Sequence, residues 1–491
     1  MGSTFGGIEI GKKALQTQQK SLSVTAHNIA NANNDKYSRQ WAIQSTTTPY
    51  TYPSIYSTTG AGQVGTGVKV ERIERIRDQF IDTRIRYENQ ALGEWTVKKD
   101  NLREIESIFN ELDDGGLFNT LNEFWESFQE LNNNPESLAL RETVVQKSIT
   151  LTTQFNNIDK ALVNFREHLG SEIEGKIVEV NDLLTKIASL NHQIKVIESG
   201  MNKKANDLAD ERDYLIEKLS KMVDIQVRVD SYNQVNISLN GINLIDGGSY
   251  NELVAVKNIE NISVNVDHDD NPLTADVPYQ YDFAIFTFKV NGNTVPVESG
   301  EIKGLIDVRD KIIDYKVNKL DKLVRSLKNE VNYLHQGGYD LYGNTNLKFF
   351  EFEAGEYDAA HFKVNSAIAS DPAKIAASTS PDPDDSGNGE NALAIADLRY
   401  KQGTIDTTTF NDFWQTQASK LGIDIERAER MSDNQEVLIE QLKQKREEIS
   451  GVSLDEELTE MIKYQHGYNA AAKVIASMNE MLDTLVNGLL R

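Results

Sequence analysis

Apolar side chains recur at every seventh position near the carboxyl end of the chain, in the stretch 454–490. A first row comprises Leu454, Met461, Tyr468, Ile475, Leu482 and Leu489. A second row, offset by three positions, comprises Tyr464, Ala471, Met478 and Leu485. Two rows at this spacing form the seam along which one helix packs against another. A core helix of an ordinary domain shows a similar stripe. The pattern alone therefore does not distinguish a coiled-coil helix from a core helix, and other parts of the chain are needed to choose between them.

The amino-terminal segment 1–31 has a similar repeat. Its apolar row comprises Ile8, Leu15, Leu22 and Ile29, and its flanking row comprises Gly11, Gln18 and Thr25. Residues 1–40 carry five basic and two acidic side chains, whereas residues 452–491 carry three basic and six acidic ones. Opposite charge helps the two ends to meet, although each exposed ion pair contributes little. We predict that 1–40 and 451–491 form a terminal coiled-coil domain.

The two seams together define a predicted assembly interface. It comprises Ile8, Leu15, Leu22, Ile29, Leu454, Met461, Tyr464, Tyr468, Ala471, Ile475, Met478, Leu482 and Leu485. Ser453 and Glu456 have the spacing of a capping box at the start of the last helix. Because isolated helices of this kind are marginal in water, we expect the ends to fold only when they dock.

The middle of the chain is mainly helical with one β segment. Three–four spacing of apolar residues predicts a helical rod domain over 41–224 and 301–450, with an irregular segment at 338–410. Between these parts the spacing changes to two, and Asn240-Gly241 and Asn291-Gly292 are hairpin signals. The predicted fold is therefore mainly α, with terminal coiled-coil helices, an elongated helical rod and a small antiparallel β domain inserted at 225–300, at the tip.

Composition excludes several classes of function. The net charge of −24 argues against nucleic-acid binding, and the absence of cysteine excludes disulfides and thiolate metal sites. No apolar run is long enough to span a membrane. The segment Gly6–Lys12 resembles a phosphate-binding loop, but no strand precedes it and Lys13 replaces the Ser or Thr that would hold magnesium. We therefore predict no catalytic, cofactor-binding or metal residues, and a chain that is not an enzyme.

Both ends resemble a known family. The segments GKKALQTQQKSLSVTAHNIANANNDKYSRQ and SGVSLDEELTEMIKYQHGYNAAAKVIASMNEMLDTLVN are similar to the terminal helices of bacterial flagellar axial proteins. The internal segments GTGVKVERIERIRDQFI, ANDLADERDYLIEKLSKMVDI and NALAIADL resemble one branch of them, the hook-associated protein 1 family at the hook–filament junction. One departure is Asn33-Asn34-Asp35-Lys36-Tyr37, where relatives usually have Asn-Thr-Pro-Gly-Tyr.

The resemblance implies a structural subunit that is exported through the flagellar type III apparatus to the outside of the cell. It implies a ring-like homo-oligomer at the distal end of the hook, whose terminal helices line the inner tube. The implied partners are further copies of the chain, the hook protein, hook-associated protein 3 and an export chaperone on the carboxyl-terminal helix, with no nucleic acid and no membrane. Two alternatives stay open: another flagellar axial protein, or a secreted coiled-coil adhesin or effector with a β binding module.

Overall fold

The structure is a computed structural model of the chain. It describes residues 5–48, 65–109, 116–200, 203–230, 232–266, 277–382, 385 and 387–487. Leu489 of the predicted seam lies outside these residues. Two compact units make up the chain. The first comprises Met1–Gln90, Glu179–Leu253 and Gln435–Arg491, and the second comprises Ala91–Val178 and Val254–Asn434.

Long helices dominate, which confirms the predicted mainly α class. In chain order they are α1 Phe5–Ala30, α2 Gln79–Phe109, α3 Leu117–Asn133, α4 Leu138–Glu198, α5 Asn206–Met222, α6 Glu301–Asp314, α7 Asp321–Gly337, α8 Ser366–Ser370, α9 Glu390–Asp397, α10 Phe410–Ser450 and α11 Leu454–Asn487. A π-helical segment, Tyr315–Leu320, joins α6 to α7. The apolar residues from Phe155 to Ile197 recur at three–four spacing, which predicts one long helix that ends before Gly200. This helix is α4, whose 61 residues begin at Leu138, before the first residue of that stripe.

The strands form small antiparallel sheets. They are β1 Gln40–Thr46, β2 Val68–Arg75, β3 Ile225–Val229, β4 Val235–Leu239, β5 Ile242–Asp246, β6 Ser249–Tyr250, β7 Leu253–Val266, β8 Val277–Val290, β9 Asn293–Thr294, β10 Phe350–Phe352 and β11 Phe362–Val364. The sheet orders are β1-β2, β3-β4-β5-β6, β7-β8-β9 and β10-β11. Both Asn-Gly pairs form the predicted hairpin turns. Asn240 and Gly241 have φ of 44° and 83°, and Asn291 and Gly292 have φ of 50° and 79°.

The stretch 225–300 contains two sheets rather than one. Strands β3 to β6 belong to the first unit, whereas the sheet of β7 to β9 lies almost wholly in the second. The prediction of a single β domain did not anticipate this division at Leu253. A period of two identifies strands, but it does not say which strands pair.

The core of the second unit is rich in aromatic side chains. Trp125 and Phe128 of α3 are fully buried, as are Phe349, Phe350 and Trp414. The Trp125 indole donates a 3.2 Å hydrogen bond to the side-chain oxygen of Asn411, so the one polar atom of that ring is satisfied. The apolar residues Leu121, Phe124 and Phe128 recur at three–four spacing and predict α3, and the face they form builds this core.

Candidate assembly site at the terminal helices

The two ends of the chain pair as antiparallel helices. An added Cβ at Gly11 of α1 would lie 2.7 Å from Cγ1 of Ile475 in α11, and one at Gly467 would lie 3.0 Å from the side chain of Gln18. As the chain advances along α1, its neighbours in α11 therefore move back toward the start of that helix. The glycines mark where the two helices approach most closely.

Small and polar side chains, rather than the bulky row, occupy the buried face of α1. The buried residues are Gly11, Thr17, Ser21, Val24, Thr25 and Asn28, while the predicted Ile8, Leu15, Leu22 and Ile29 are half-buried. The reason is that α1 packs on two partners at once. Thr17 donates to the carbonyl of Val68 over 3.1 Å, and Ser21 accepts from Gln44 over 3.1 Å, so β1 and β2 cover part of the helix. The flanking row that includes Gly11 and Thr25 was the better signal.

The predicted residues of α11 fall into three groups. Tyr464 and Ala471 are buried; Met461, Ile475, Met478 and Leu482 are half-buried; Leu454, Tyr468 and Leu485 are exposed. Burial and a hydrogen bond to Glu460 raise the pKa of Tyr464 to about 12, so its hydroxyl stays neutral. Thus Tyr464 and Ala471 of the second row face inward, whereas Leu485 of that row is exposed, as are Leu454 and Tyr468 of the first row.

Eight large apolar side chains of α11 are exposed to solvent. They are Leu454, Leu458, Ile462, Tyr468, Val474, Met481, Leu485 and Val486. Ile462 is 55% exposed and Met481 is 57% exposed. We refer to these residues as the outer apolar face. At helical spacing, Leu454, Leu458 and Ile462 form one stripe and Val474, Met481 and Leu485 form another, on the two sides of the buried row that includes Tyr464 and Ala471. Exposed apolar stripes of this kind are typical of an interaction surface.

Asn28 connects the end of α1 to the start of α11. It is 1% exposed, and its amide nitrogen donates to the carbonyl of Gln40 over 2.9 Å and to the carboxylate of Glu457 over 3.0 Å. Its side-chain oxygen accepts from the Tyr37 hydroxyl over 2.7 Å and from the backbone N–H of Gln40 over 3.0 Å. All four hydrogen-bonding positions of the carboxamide are used, which a buried amide requires.

The residues after α1 extend this connection to α5 and α11. Ser38 donates from its backbone N–H and its hydroxyl to Asp210, over 3.1 and 2.7 Å. Arg39 donates to Glu457 over 2.7 Å and to Glu456 over 2.8 Å. We call Asn28, Ser38, Arg39, Asp210 and Glu457 the terminal joint. It fixes the helix pair to the body of the first unit.

The predicted capping box is half formed. Ser453 accepts a 3.4 Å hydrogen bond from the backbone N–H of Glu456, as expected for the start of α11. The Glu456 carboxylate bonds Arg39, so it serves the joint.

A buried ionic cluster lies next to the joint. Arg75 donates to Asp210 over 2.7 Å and to Asp213 over 3.0 Å, and Arg77 donates to Asp213 over 2.9 Å and to both oxygens of Asp82. Burial alone would raise the pKa of Asp213, but the surrounding guanidinium groups lower it. For Arg77, burial acts to lower the pKa of the guanidinium. The neighbouring carboxylates have the larger effect, so the pKa of Arg77 is raised. Such a network is costly to break, because removing one partner leaves a buried charge.

Sequence reasoning missed the joint and the cluster as a site. Their residues come from Asn28–Gln40, Arg75–Asp82, Asp207–Asp213 and Glu456–Glu457, which are far apart along the chain. Apart from Asp82, which directly follows the motif GTGVKVERIERIRDQFI, these segments lie within the motifs that carry the family resemblance. The motifs themselves were the only signal in the sequence. A single sequence does not show which motifs contact one another in the folded chain.

Among the described residues, one group of side chains has the spacing of a metal site. The ligand atoms of Glu356, Asp358 and His361 all lie within 4.8 Å of one another. His361 Nδ1 is 2.6 Å from Asp358 Oδ1, and the ammonium of Lys316 is 3.7 Å from Asp358 Oδ2. The hydrogen bond explains the close approach, and the ammonium opposes a second cation, so we assign no metal here. In the described parts of the chain, no helix has the length and hydropathy of a membrane span.

Comparisons with known proteins agree with this geometry. The family model for the flagella basal body rod protein matches residues 8–37, and the model for the carboxyl-terminal part of flagellar basal body rod proteins matches residues 443–488. These segments include nearly all of α1 and the whole of α11. Paired terminal helices with these matches define the class of flagellar axial proteins.

The rest of the chain identifies the family within that class. The model for the helical domain of flagellar hook-associated protein FlgK matches residues 102–350. Flagellar hook-associated protein 1 of Bacillus subtilis is 34% identical, over 100% of this chain and 99% of that protein. Its counterpart in Salmonella typhimurium is 25% identical, over 98% of this chain and 99% of that protein. The chain belongs to the flagellar hook-associated protein 1 family.

A solved structure has the same fold. The flagellar hook junction protein FlgK from Burkholderia pseudomallei superimposes with a TM-score of 0.59 at 15% sequence identity. The match covers 74% of this chain and 100% of that one.

Proposed function

We propose that the protein is a structural subunit of the bacterial flagellum that forms the hook–filament junction. It self-assembles through its terminal helices at the distal end of the hook. The observation that carries this proposal is the outer apolar face, which lies on a helix whose inner side is already fixed by α1 and the terminal joint. Membership of the hook-associated protein 1 family supports the location.

The outer apolar face gives the driving force for assembly. Burying a large aliphatic side chain contributes at most about 1.5–3 kcal/mol, and the face has several such side chains, among them Leu458, Ile462 and Met481. Neighbouring copies of the chain, each with the same pair of helices, supply a matching apolar surface. The predicted residues Leu454, Tyr468 and Leu485, which are exposed in the single chain, belong to this contact. The proposed oligomer is ring-like.

Further partners follow from the place in the flagellum. The proposed neighbours are the hook protein on one side and hook-associated protein 3 on the other. Before assembly, an export chaperone covers the outer apolar face of α11, because an exposed apolar helix face invites premature association. The protein then functions outside the cell, as a structural component and not as an enzyme.

Electron microscopy of flagella from a strain that lacks the gene tests this function. We expect complete hooks without filaments, with filament protein released into the medium. Cells that lack hooks as well would assign the chain to another part of the axial structure. Normal filaments in the deletion strain would contradict any junction role and would favour a secreted adhesin or effector.

A further inference from the structure

A cavity of about 410 Å³ lies in the first unit, beside the ionic cluster. Its walls come from β2, the start of α2, the start of α5 and strand β3. The basic residues that line it are Arg75, Arg77, Arg86, Lys204 and Arg212. In a chain of net charge −24, this concentration of guanidinium groups is unusual.

Four of these guanidinium groups surround one carboxylate. Asp213 lies 3.0 Å from Arg75, 2.9 Å from Arg77, 3.8 Å from Arg212 and 4.0 Å from Arg86. Arg75 and Arg77 make the short hydrogen bonds to Asp213. Arg86 and Arg212 are therefore left at distances that are too long for hydrogen bonds.

The other acidic residues on the wall are engaged elsewhere. Asp82 accepts from Arg77 over 2.8 and 2.9 Å. Glu198 accepts from the Asn233 amide over 3.2 Å and from Lys204 over 3.1 Å. Glu198 still attracts the Arg212 guanidinium at longer range, but the hydrogen bonds of Asp82 and Glu198 go to these other groups and not to Arg86 or Arg212.

Two guanidinium N–H groups on the wall make no hydrogen bond. They are Nε of Arg86 and Nε of Arg212, and both atoms are buried. Arg212 is only 2% exposed, and its other contacts are 3.0 Å to the side chain of Asn191 and 2.8 Å to the carbonyl of Asn233. Burial lowers the pKa of the Arg212 guanidinium, since Asp213 offsets its desolvation only in part. A buried donor without an acceptor costs stability.

The start of α5 adds a second attraction for negative charge. Asn206, the first residue of this helix, lines the cavity, and the N-cap position is Ala205, whose side chain cannot accept a hydrogen bond. The unsatisfied N–H groups of a helix start favour an anion. Combined with the Nε of Arg212, which makes no hydrogen bond, they define the chemistry that the cavity would recognise.

We propose that this cavity binds a small doubly charged oxyanion, such as inorganic phosphate or sulfate, between Arg86 and Arg212. A tetrahedral oxyanion presents several acceptors at once, which suits guanidinium donors that approach from different walls. The bound anion neutralises the surplus guanidinium charge beside Asp213.

Equilibrium dialysis of the purified full-length chain against radiolabelled phosphate tests this site, in chloride buffer at constant ionic strength. We expect saturable binding of one phosphate per chain, with competition by sulfate and much weaker competition by acetate. The variant Arg86→Gln should bind phosphate at least about tenfold more weakly, because it loses a charge-assisted hydrogen bond. Arg86→Lys keeps the positive charge but loses the planar set of guanidinium donors. Its phosphate affinity should lie between that of the unchanged chain and that of Arg86→Gln.

The matched control is Arg228→Gln. Arg228 lies on β3 between two residues that line the cavity, but it is itself exposed and is not part of the wall. The substitution Arg228→Gln changes the net charge by the same amount as Arg86→Gln does. Because Arg228 does not line the cavity, the phosphate affinity of this variant should equal that of the unchanged chain. Absence of saturable binding would overturn the proposal. So would equal affinity in the Arg86→Gln and Arg228→Gln chains, or equal competition by acetate and sulfate.

Discussion

Asn28 donates a 3.0 Å hydrogen bond to Glu457, a residue that stands 429 positions further along the chain. Both side chains are buried, and Glu457 also accepts from Arg39 over 2.7 Å. The contact joins the last turn of α1 to the first turn of α11. It holds the helix pair at one end, while the other end, around Met478 and Leu482, is only half-buried. The terminal pair is thus anchored at the joint and is more open toward its free end.

This anchoring changes what we expect of the free subunit. Sequence reasoning predicts that the ends fold only when they dock, whereas the joint should keep the start of α11 closed before assembly. In a dilute monomer, amide exchange should be slow in peptides that contain Glu457–Tyr464 and fast in peptides that contain Met478–Asn487. Uniformly slow or uniformly fast exchange along α11 would contradict this gradient.

Replacing Asn28 by Ala should open the joint. The change removes one of the two hydrogen-bond partners of the Glu457 carboxylate, which keeps Arg39, and removes the side chain that bonds the backbone N–H and carbonyl of Gln40. The loss costs about 1–3 kcal/mol. Amide exchange near Glu457 should therefore become roughly 5- to 150-fold faster. The control is Ser23→Ala, because Ser23 is exposed on the same helix and bonds only the carbonyl of Gln19. Equal rates in the two variants would show that Asn28 does not hold the joint.

Two glycines of the second unit should respond in opposite directions to alanine. A Cβ at Gly304 of α6 would lie 2.7 Å from the backbone oxygen of Glu94 and 3.0 Å from Cβ of Val97, so Gly304→Ala should destabilise the unit by about 1–3 kcal/mol. Gly175 of α4 has no atom within 4 Å of such a Cβ, and Gly175→Ala should stabilise the unit by up to about 1 kcal/mol.

Urea unfolding followed by tryptophan fluorescence measures both effects. Trp125 and Trp414 are buried in the second unit and report on its unfolding. If Gly304→Ala were as stable as the unchanged chain, the close approach of α2 and α6 would not be the reason for glycine at this position.

His335 should make the second unit sensitive to acid. Its Nδ1 lies 2.7 Å from the carbonyl of Leu347, and its Nε2 accepts from the backbone N–H of Ala376 over 2.9 Å, so the ring is neutral with its proton on Nδ1. Burial lowers the pKa of His335 from 6.5 to about 4. The unfolded chain therefore binds the proton more readily. The stability is complete above about pH 6.5 and falls as the pH drops toward 4.

The expected loss across this window is up to about 3 kcal/mol. Urea unfolding at a series of pH values should show it as the difference between the unchanged chain and His335→Gln, which does not titrate. A difference that stays constant between pH 6.5 and pH 4 would contradict the assignment of a neutral ring.

Local signals predicted much of the fold. The Asn-Gly pairs at 240 and 291 place two hairpin turns, because few other sequences accept positive φ at both positions. The stripe of Leu121, Phe124 and Trp125 predicts α3 and its buried face. These features depend only on residues that are close together along the chain, so a single sequence is enough to predict them.

Features that depend on distant partners were not predicted. The seven-residue repeat of α1 favours Ile8 and Leu15 as the buried row, but the packing of β1 and β2 on the helix turns Thr17 and Ser21 inward. Likewise, no pattern in one sequence shows that Arg75 meets Asp210 and Asp213. Tertiary packing decides which of these side chains pair. The motifs that resemble the family contain the residues but do not show their contacts.

The central claim is that the outer apolar face of the last helix builds the junction. Its most direct test is electron microscopy of the deletion strain supplied with chains that carry Ile462→Glu or Asn469→Glu. Both residues are exposed on α11, and both changes add one negative charge. Ile462 belongs to the outer apolar face, whereas the residues three and four positions from Asn469 all lie outside it. Both chains should be exported, and we expect filaments with Asn469→Glu and bare hooks with Ile462→Glu. Filaments on Ile462→Glu cells as often as on cells with the unchanged chain would contradict this claim.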